Sequence, residues 1–380
     1  MAKPSRKKTN AAPIALPHAG VARPYVTMDD VAAIAGVHST TVSMALRAHP
    51  SIAENTRRRI IEIAAQIGYV RDPLLDAFNY HRLQKLAVKQ PPSIAFVIDA
   101  ASSAYFFGSG YHPLVYEGVR AVATAQHLTL EVFALGTRDM TANRLNTILT
   151  SRGINGVLLS TFTPTTKSIA LDWSQFSAVK IESHHLLPEL DVVSNDQCQA
   201  ARLCMRHLRE LGYRRIGLAT ATDDESRLER TFSSGFLVEQ AEHPEDERVP
   251  PLFFERGHIG TIAGRVEAWI KEHQVDALMT NWHELIAIND WDGTSTRLTS
   301  TSLRVPQDVA FASLDVPSGC PHIGGIVQNH RLVGVRAMEQ LAIMVRTFRK
   351  GAPENPSSTS VPGFWREGGT VPPKAVLAKR

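Results

Sequence analysis

Histidines beside acids are the side chains of this 380-residue chain most able to do chemistry, and they gather in "HHLLPE" at 184–189 and "HEL" at 283–285. A zinc hydrolase needs a second histidine one helical turn after the first, so that both imidazoles face one metal while the glutamate between them acts as base. Position 287 is Ala, so the pattern stops at His283 and Glu284. There is neither a G-x-S-x-G nucleophile elbow nor a G-x-x-x-x-G-K phosphate loop. Cys198, Cys204 and Cys320 form no CxxC pair and are odd in number, which fits reduced thiols and not a disulfide frame or zinc site. We therefore expect a non-enzyme with no catalytic residues, no metal and no cofactor.

A different chemistry is legible in "MDDVAAIAGVHSTTVSMAL", residues 28–46. Thr27 stands where it can cap a helix, Asp29 and Asp30 fall in the first turn where the helix dipole favours negative charge, and Gly36 ends the helix. A second helix restarts with Val42, Ala45 and Leu46 at the spacing of an inward face. Its other face offers His38, Ser39, Thr40, Thr41, Ser43 and Met44, with no acid among them. A corner that only packs a core normally turns Glu, Lys and Arg outward, whereas a helix entering the major groove needs short hydrogen-bonding groups and no charge that repels phosphates. "ENTRRRIIEIAAQIG" adds a third helix, with Ile60, Ala64 and Ile67 on one stripe, Arg57 to Arg59 near its start and Gly68 as its stop. The spacing predicts an all-α helix-turn-helix head that binds double-stranded DNA.

Charge is distributed accordingly. Residues 1–90 hold 13 Lys+Arg against 6 Asp+Glu, which leaves 28 against 31 for residues 91–380, so the net +4 conceals a basic end on a near-neutral body. The first 25 residues read as a disordered basic arm, and Pro13, Pro17 and Pro24 interrupt any apolar stretch that could serve as a secretory leader. No apolar run approaches the roughly 20 residues of a bilayer span. The expectation is a cytoplasmic protein with no membrane partner.

The elements that must carry these residues follow from periodicity. The head covers 26–71. In "RDPLLDAFNYHRLQKLAVKQPP", Asp72 as cap and Pro73 at the first helical position start a short helix within a linker, 72–92. From Ser93 onward, strand-like runs ("SIAFVID", "LTLEVFAL", "NGVLLS", "SAVKIE", "RRIGLAT", "VDALMT", "DVAFASLD") alternate with amphipathic helices such as 113–128, 197–211 and 262–273. That alternation predicts an α/β core over 93–371 with two parallel, Rossmann-like sheets side by side, and a tail at 372–380.

The head motif from Val26 to Tyr69, the segment "VVSNDQCQAARLCMRHLRELGYRRIGLAT" and the late "LRVPQDVAFASLD" together resemble the lactose-repressor/galactose-repressor family of bacterial transcription factors, from Val26 to about Gly369. The resemblance implies a homodimer on a near-palindromic operator and a periplasmic-binding-protein-like core that holds a small molecule between its halves, 93–193 plus 329–350 and 194–328 plus 351–371. A dimer is expected over a tetramer, since no heptad extension follows residue 363. The matching positions make Ser39, Thr40 and Met44 base readers and put Thr27, Thr41 and Ser43 on phosphates. Many members have Arg at the position of Met44. Methionine can touch a thymine methyl but cannot grip guanine, so a weaker G·C demand is expected there. Phe78 matches the leucine that the family inserts into the minor groove, with Leu74 and Leu75 one turn earlier; an aromatic can serve as that wedge.

Parallel sheets place ligands at the carboxyl ends of their strands. By that rule the candidates are Tyr105 to Phe107, Thr161 and Phe162, Glu182 with His184 and His185, Trp282 and His283, and Asp315. The resemblance places Glu182 where sugar-binding members often have Asp, Asp315 on the family's late acidic ligand residue, and Gln328 on a polar residue at the crossover. Aromatics with carboxylates suit a polyol, so a sugar or sugar derivative is the implied effector. Two departures stand against it. Phe232 occupies the place of an arginine three before Gly235, and Trp282-His283 replaces an Asn-Asp pair. Either Arg230, with Arg227 near it, supplies the missing cation or the ligand is not a typical monosaccharide. An exported binding protein with the same core would lack the head.

Overall fold

The computed structural model describes residues 26–46, 51–69, 92–101 and 110–377, and the chain divides into two compact units, Met1–Arg82 and Leu83–Arg380. The first contains α1 (Met28–Ala35), α2 (Ser39–Leu46) and α3 (Glu54–Gln66). Thr27 and Asp30 form a reciprocal capping box at the start of α1, which satisfies amides that would otherwise have no partner. Gly36 ends α1 at φ 64°, a left-handed turn that a β-carbon would strain. Val31, Ala32, Ala35, Val42, Ala45, Ile60 and Ala64 close into one small core, with Val37, Leu46 and Ile67 packed at its edge. The stripes predicted from spacing are the buried ones.

The second unit is a pair of doubly wound sheets. The first runs β1 (Ser93–Asp99), α4 (Tyr111–Ala125), β2 (Thr129–Leu135), α5 (Ala142–Arg152), β3 (Gly156–Leu159), β4 (Ser177–Ile181) and β5 (Val192–Asn195). The second runs α6 (Gln197–Glu210), β6 (Ile216–Ala221), α7 (Thr222–Arg227), α8 (Thr231–Ala241), β7 (Leu252–Phe254), α9 (Ile259–His273) and β8 (Ala277–Thr280). It continues through a small hairpin, β9 (Thr296–Arg297) and β10 (Arg304–Val305), to β11 (Ala310–Ser313) and β12 (Gly324–Val327). The chain then returns to the first half as α10 (His330–Arg346) and β13 (Ser358–Val361), and crosses again to β14 (Phe364–Arg366).

Strand order is β2-β1-β3-β4-β5-β13 in one sheet and β7-β6-β8-β11-β12-β14 in the other, parallel throughout except for β14. In each sheet the order reverses beside its first strand, which opens a crevice at the carboxyl ends of β1 and β3 and of β6 and β8. The apolar run of β1 is split by the pleat. Ile94, Phe96 and Ile98 pack on α4 and α10, and Ala95 and Val97 pack toward α5.

One expected boundary needs correction. Residues 351–371 were assigned to the second half as a block, but β13 pairs in parallel with β5, Ser358 opposite Val192 through Val361 opposite Asn195. The free edge of β5 needs a partner for its amides and carbonyls, and this four-residue strand provides it. The first half thus takes 358–361, and only β14 joins the second sheet. The linker helix, with Leu75 and Phe78, and the segment holding Phe107 lie outside the described residues.

Candidate functional site

In the head, α2 turns Val42 and Ala45 inward and leaves Thr40 exposed with Ser39, Thr41, Ser43 and Met44 half-buried. No acid occupies its first turn. His38 Nδ1 accepts from the Thr40 backbone amide at 3.3 Å and sits 2.9 Å from the Thr40 hydroxyl, so the imidazole steadies the start of the helix. The Thr27 hydroxyl is engaged by Asp30, donating to its carboxylate at 2.7 Å. Arg57 pairs with Glu54 and Arg58 with Asn55 along α3.

In the core, a cleft of about 740 Å³ lies between the halves at the carboxyl ends of the strands. Phe162, Glu182, Trp282, His283 and Asp315, all at strand ends, line it together with Gln328. Arg230 does not line it. It begins α8 in a left-handed conformation, exposed, and reaches toward the Phe253 ring instead. Arg227, at the end of α7, lines the cleft instead, as does Arg256. Helical geometry explains the correction, because three residues of sequence and the break between α7 and α8 turn the two side chains apart.

Arg227 joins the halves. One guanidinium nitrogen donates to the Glu182 carbonyl at 3.0 Å and approaches its carboxylate at 3.4 Å, and the other reaches Asp224 at 3.4 Å. Burial disfavours the Arg227 charge, but Asp224 and Glu182 more than offset it and hold the guanidinium protonated. Burial likewise opposes the Asp224 charge, and Arg227 and Arg256 overcome it, keeping that carboxylate below its usual range. Asp224 also accepts from Asn281 at 2.9 Å and from the Trp282 indole at 3.2 Å, while Arg256 lies over the Trp282 ring.

Glu182 is less free than its position at a strand end suggests. It is buried in a left-handed conformation, and its Oε1 accepts from the Asn195 backbone, the Asn195 side chain and Gln197. A second link between the halves runs from His330, at the start of α10, to Asp315 at 2.9 Å. Asp315 and Glu182 draw His330 toward the charged form against its burial. Asn195 Nδ2 lies 2.6 Å from Glu182 Oε1 and 3.0 Å from His330 Nδ1, so this amide sits between the two groups. The other ring nitrogen of His330, Nε2, donates to Asp315.

Sequence reading names Arg227 only as a neighbour of Arg230 and misses Asp224 and Asn281. Asp224 lies in the short helix that follows β6 and Asn281 follows β8, so the strand-end rule applied to every strand would have found them. Tyr111, His112 and His330 sit at helix starts that carry no sequence signature of a site.

The histidines give the core an acid limit. Burial lowers His112 from 6.5 to about 4, and lowers His184 and His185 as well. An unfolded His112 takes its proton near pH 6.5 and the folded one only near pH 4, so acidification across that window favours unfolding. His112 contributes up to about 3 kcal/mol of this loss. His330, raised, works in the opposite direction. Denaturant titrations between pH 7 and 4 are expected to show stability falling, with a shallower slope in His112→Gln.

Among the described residues, no helix is long and apolar enough to cross a membrane. Residues 27–72 match the model of bacterial regulatory proteins of the lacI family. Residues 93–250 match that of periplasmic binding proteins and the sugar binding domain of the LacI family, and residues 205–371 match a periplasmic binding protein-like domain. The NTD biosynthesis operon regulator NtdR of Bacillus subtilis is 22% identical over 299 residues, covering 76% of this chain and 82% of its own length. The transcriptional repressor PurR of Haemophilus influenzae is 22% identical over 296 residues, covering 76% of this chain and 81% of its own. In fold the chain is similar to the regulator CelR in complex with cellobiose, with TM-score 0.58 and 18% identity over 92% of this chain and all of that one. It is similar also to the lac repressor dimer bound to operator, with TM-score 0.52 and 17% identity over 92% of this chain and all of that one. Head and core together make the chain a DNA-binding transcriptional regulator, and it belongs to the LacI family.

Proposed function

We propose that this regulator is a repressor that occupies a near-palindromic operator as a homodimer, and that a small hydroxylated molecule in the core cleft changes its operator affinity. The observation that carries the reading is the pair of polar links across the cleft, Arg227 to Glu182 and His330 to Asp315. A ligand entering between them must engage or break groups that belong to both halves, so it binds one relative placement of the halves more tightly than another. The shift it can impose is limited by that difference in affinity. The carbohydrate class is supported by the cleft's rings and carboxylates and by the sugar-binding description of the matched core family. In the head, Ser39, Thr40 and Met44 read bases, with Thr41, Ser43 and Thr27 at phosphates and Phe78 as the minor-groove wedge behind Leu75.

The test is selection from randomised duplexes with the full chain, followed by titration of the selected site. Thr40→Glu sets a carboxylate on the exposed face of α2 and is expected to weaken binding by at least about a hundredfold, since it repels phosphates and cannot replace a donor to a base edge. A two-fold-symmetric site that tolerates A·T opposite Met44 is the expected product. Failure to enrich any symmetric site, or unchanged affinity in Thr40→Glu, would overturn the assignment of α2.

A further inference from the structure

The cleft is more acidic than a neutral polyol requires. Glu182, Asp223, Asp224, Glu284 and Asp315 line it against two arginines, Arg227 and Arg256. Both arginines are committed to acids, Arg227 to Glu182 and Asp224 and Arg256 to Asp224 at 2.8 Å with Asp223 at 3.7 Å. Asp315 stands 2.9 Å from His330 Nε2, so the five carboxylates of the cleft are met by two arginines and, at Asp315, one imidazole.

The unmet hydrogen-bonding capacity has the same sign. Gln328 donates its amide nitrogen to the Leu314 carbonyl at 2.9 Å, next to Asp315, which fixes its orientation. Its Oε1 and the Asn195 Oδ1 are buried acceptors without a partner among the described residues. Asn195 is 2% and Gln328 8% exposed. Among the described residues that line the cleft, these two are the buried side-chain polar atoms left unpartnered, and neither is a donor. Unmet acceptors on residues of a cleft with an excess of carboxylates call for a group that only donates. An ammonium has three donors, no acceptor and a positive charge. A neutral sugar would leave the excess of carboxylates unbalanced, and a phosphorylated one would be repelled by it.

Resting on the reading of the cleft as the effector site, we propose that the ligand is a hydroxylated primary amine, with its ammonium held at Asp315 and its carbon face against Trp282. The departures from the family pattern at Phe232 and Trp282-His283 fit this. They remove an arginine from the usual place and add a ring, and the two arginines that do line the cleft are paired with acids of the cleft itself.

The test is calorimetric titration of the full chain at pH 6.5, in an amine-free buffer, with matched pairs: glucosamine and glucose, galactosamine and galactose, Tris and pentaerythritol. The amine of at least one pair is expected to bind tenfold or more tightly than its hydroxyl partner, with the advantage lost in Asp315→Asn and diminished in Glu284→Gln. Denaturant unfolding of both variants shows that they are folded. Equal or tighter binding of the neutral member overturns the amine assignment and leaves the effector cleft standing. Binding by no amine also overturns it, and the operator selection above then judges the proposed function separately. An amine advantage that persists in folded Asp315→Asn refutes the placement of the ammonium.

Discussion

Arg227→Leu is expected to cost the core about 3–5 kcal/mol at neutral pH, because removing one partner of a buried ion pair leaves the other charged and desolvated. Two carboxylates depend on this guanidinium. Asp224 keeps Arg256, Asn281 and Trp282, but Glu182 keeps neutral donors from Asn195, Gln197 and Tyr111. Glu182 can escape by taking a proton, so the deficit should shrink as the pH falls from 7.5 to 5. Simple loss of packing would not vary in this way. Replacing both residues, Arg227→Met with Glu182→Met, should recover most of the stability, since a well-packed apolar pair avoids the desolvation altogether. Denaturant midpoints for the parent and the two variants at the two pH values make the measurement. A single variant that unfolds within a few tenths of a kcal/mol of the parent at pH 7.5 would show that Arg227 does not hold the cleft together.

The double variant also separates stability from response. If the link between the halves transmits ligand binding to the operator, a core restored to full stability with Met at both positions should bind operator yet answer ligand weakly. Stability and switching would then be distinct consequences of the same contact.

The sequence was most informative where a periodic pattern meets a punctuating residue. The first seven strands named from their apolar runs all exist, and Thr27, Gly36 and Gly68 mark helix ends as their chemistry requires. Val192–Asn195, Gly324–Val327 and Ser358–Val361 go unmarked, because at four residues each, at least half of them polar or glycine, they offer no apolar run to read. Ser358–Val361 was misassigned for a further reason: its place is set by the edge it completes and not by its own residues. In the cleft, strand-end reasoning located side chains but not their availability. Glu182 lay where an acid was expected, yet three donors from Asn195 and Gln197 already occupy one of its oxygens, a fact of long-range packing that no local pattern carries. Arg230 and Arg227 are equivalent in sequence, and only the backbone turn at 229–230 decides which one faces the cleft.

Gly334→Ala should be among the most damaging small substitutions in the core, and its reason bears on the site. α4 and α10 cross at a pair of glycines. A β-carbon on Gly334 would stand 2.0 Å from the Val115 carbonyl oxygen, and one on Gly118 2.0 Å from that of Arg331. Both obstacles are backbone, so no side chain can rotate away and the helices must separate. Alanine gains up to about 1 kcal/mol of helix propensity over glycine. Overpacking of a tight interior typically costs about 1–3 kcal/mol, and a clash with rigid backbone lies at or beyond the upper end. A net loss of at least about 2 kcal/mol is expected. Gly264→Ala in α9 is the control, since a β-carbon there meets nothing within 4 Å and the same substitution should stabilise by up to about 1 kcal/mol. The helix starts beside this crossing carry Tyr111, His112 and His330, and the Tyr111 and His330 rings meet edge to face at 5.0 Å. Prying the helices apart therefore moves His330 relative to Asp315 and Asn195. Ligand affinity in Gly334→Ala should fall even at temperatures where the variant is fully folded, whereas Gly264→Ala should bind as the parent does. Unchanged affinity in a folded, destabilised Gly334→Ala would mean that the crossing supports the fold without setting the geometry of the cleft.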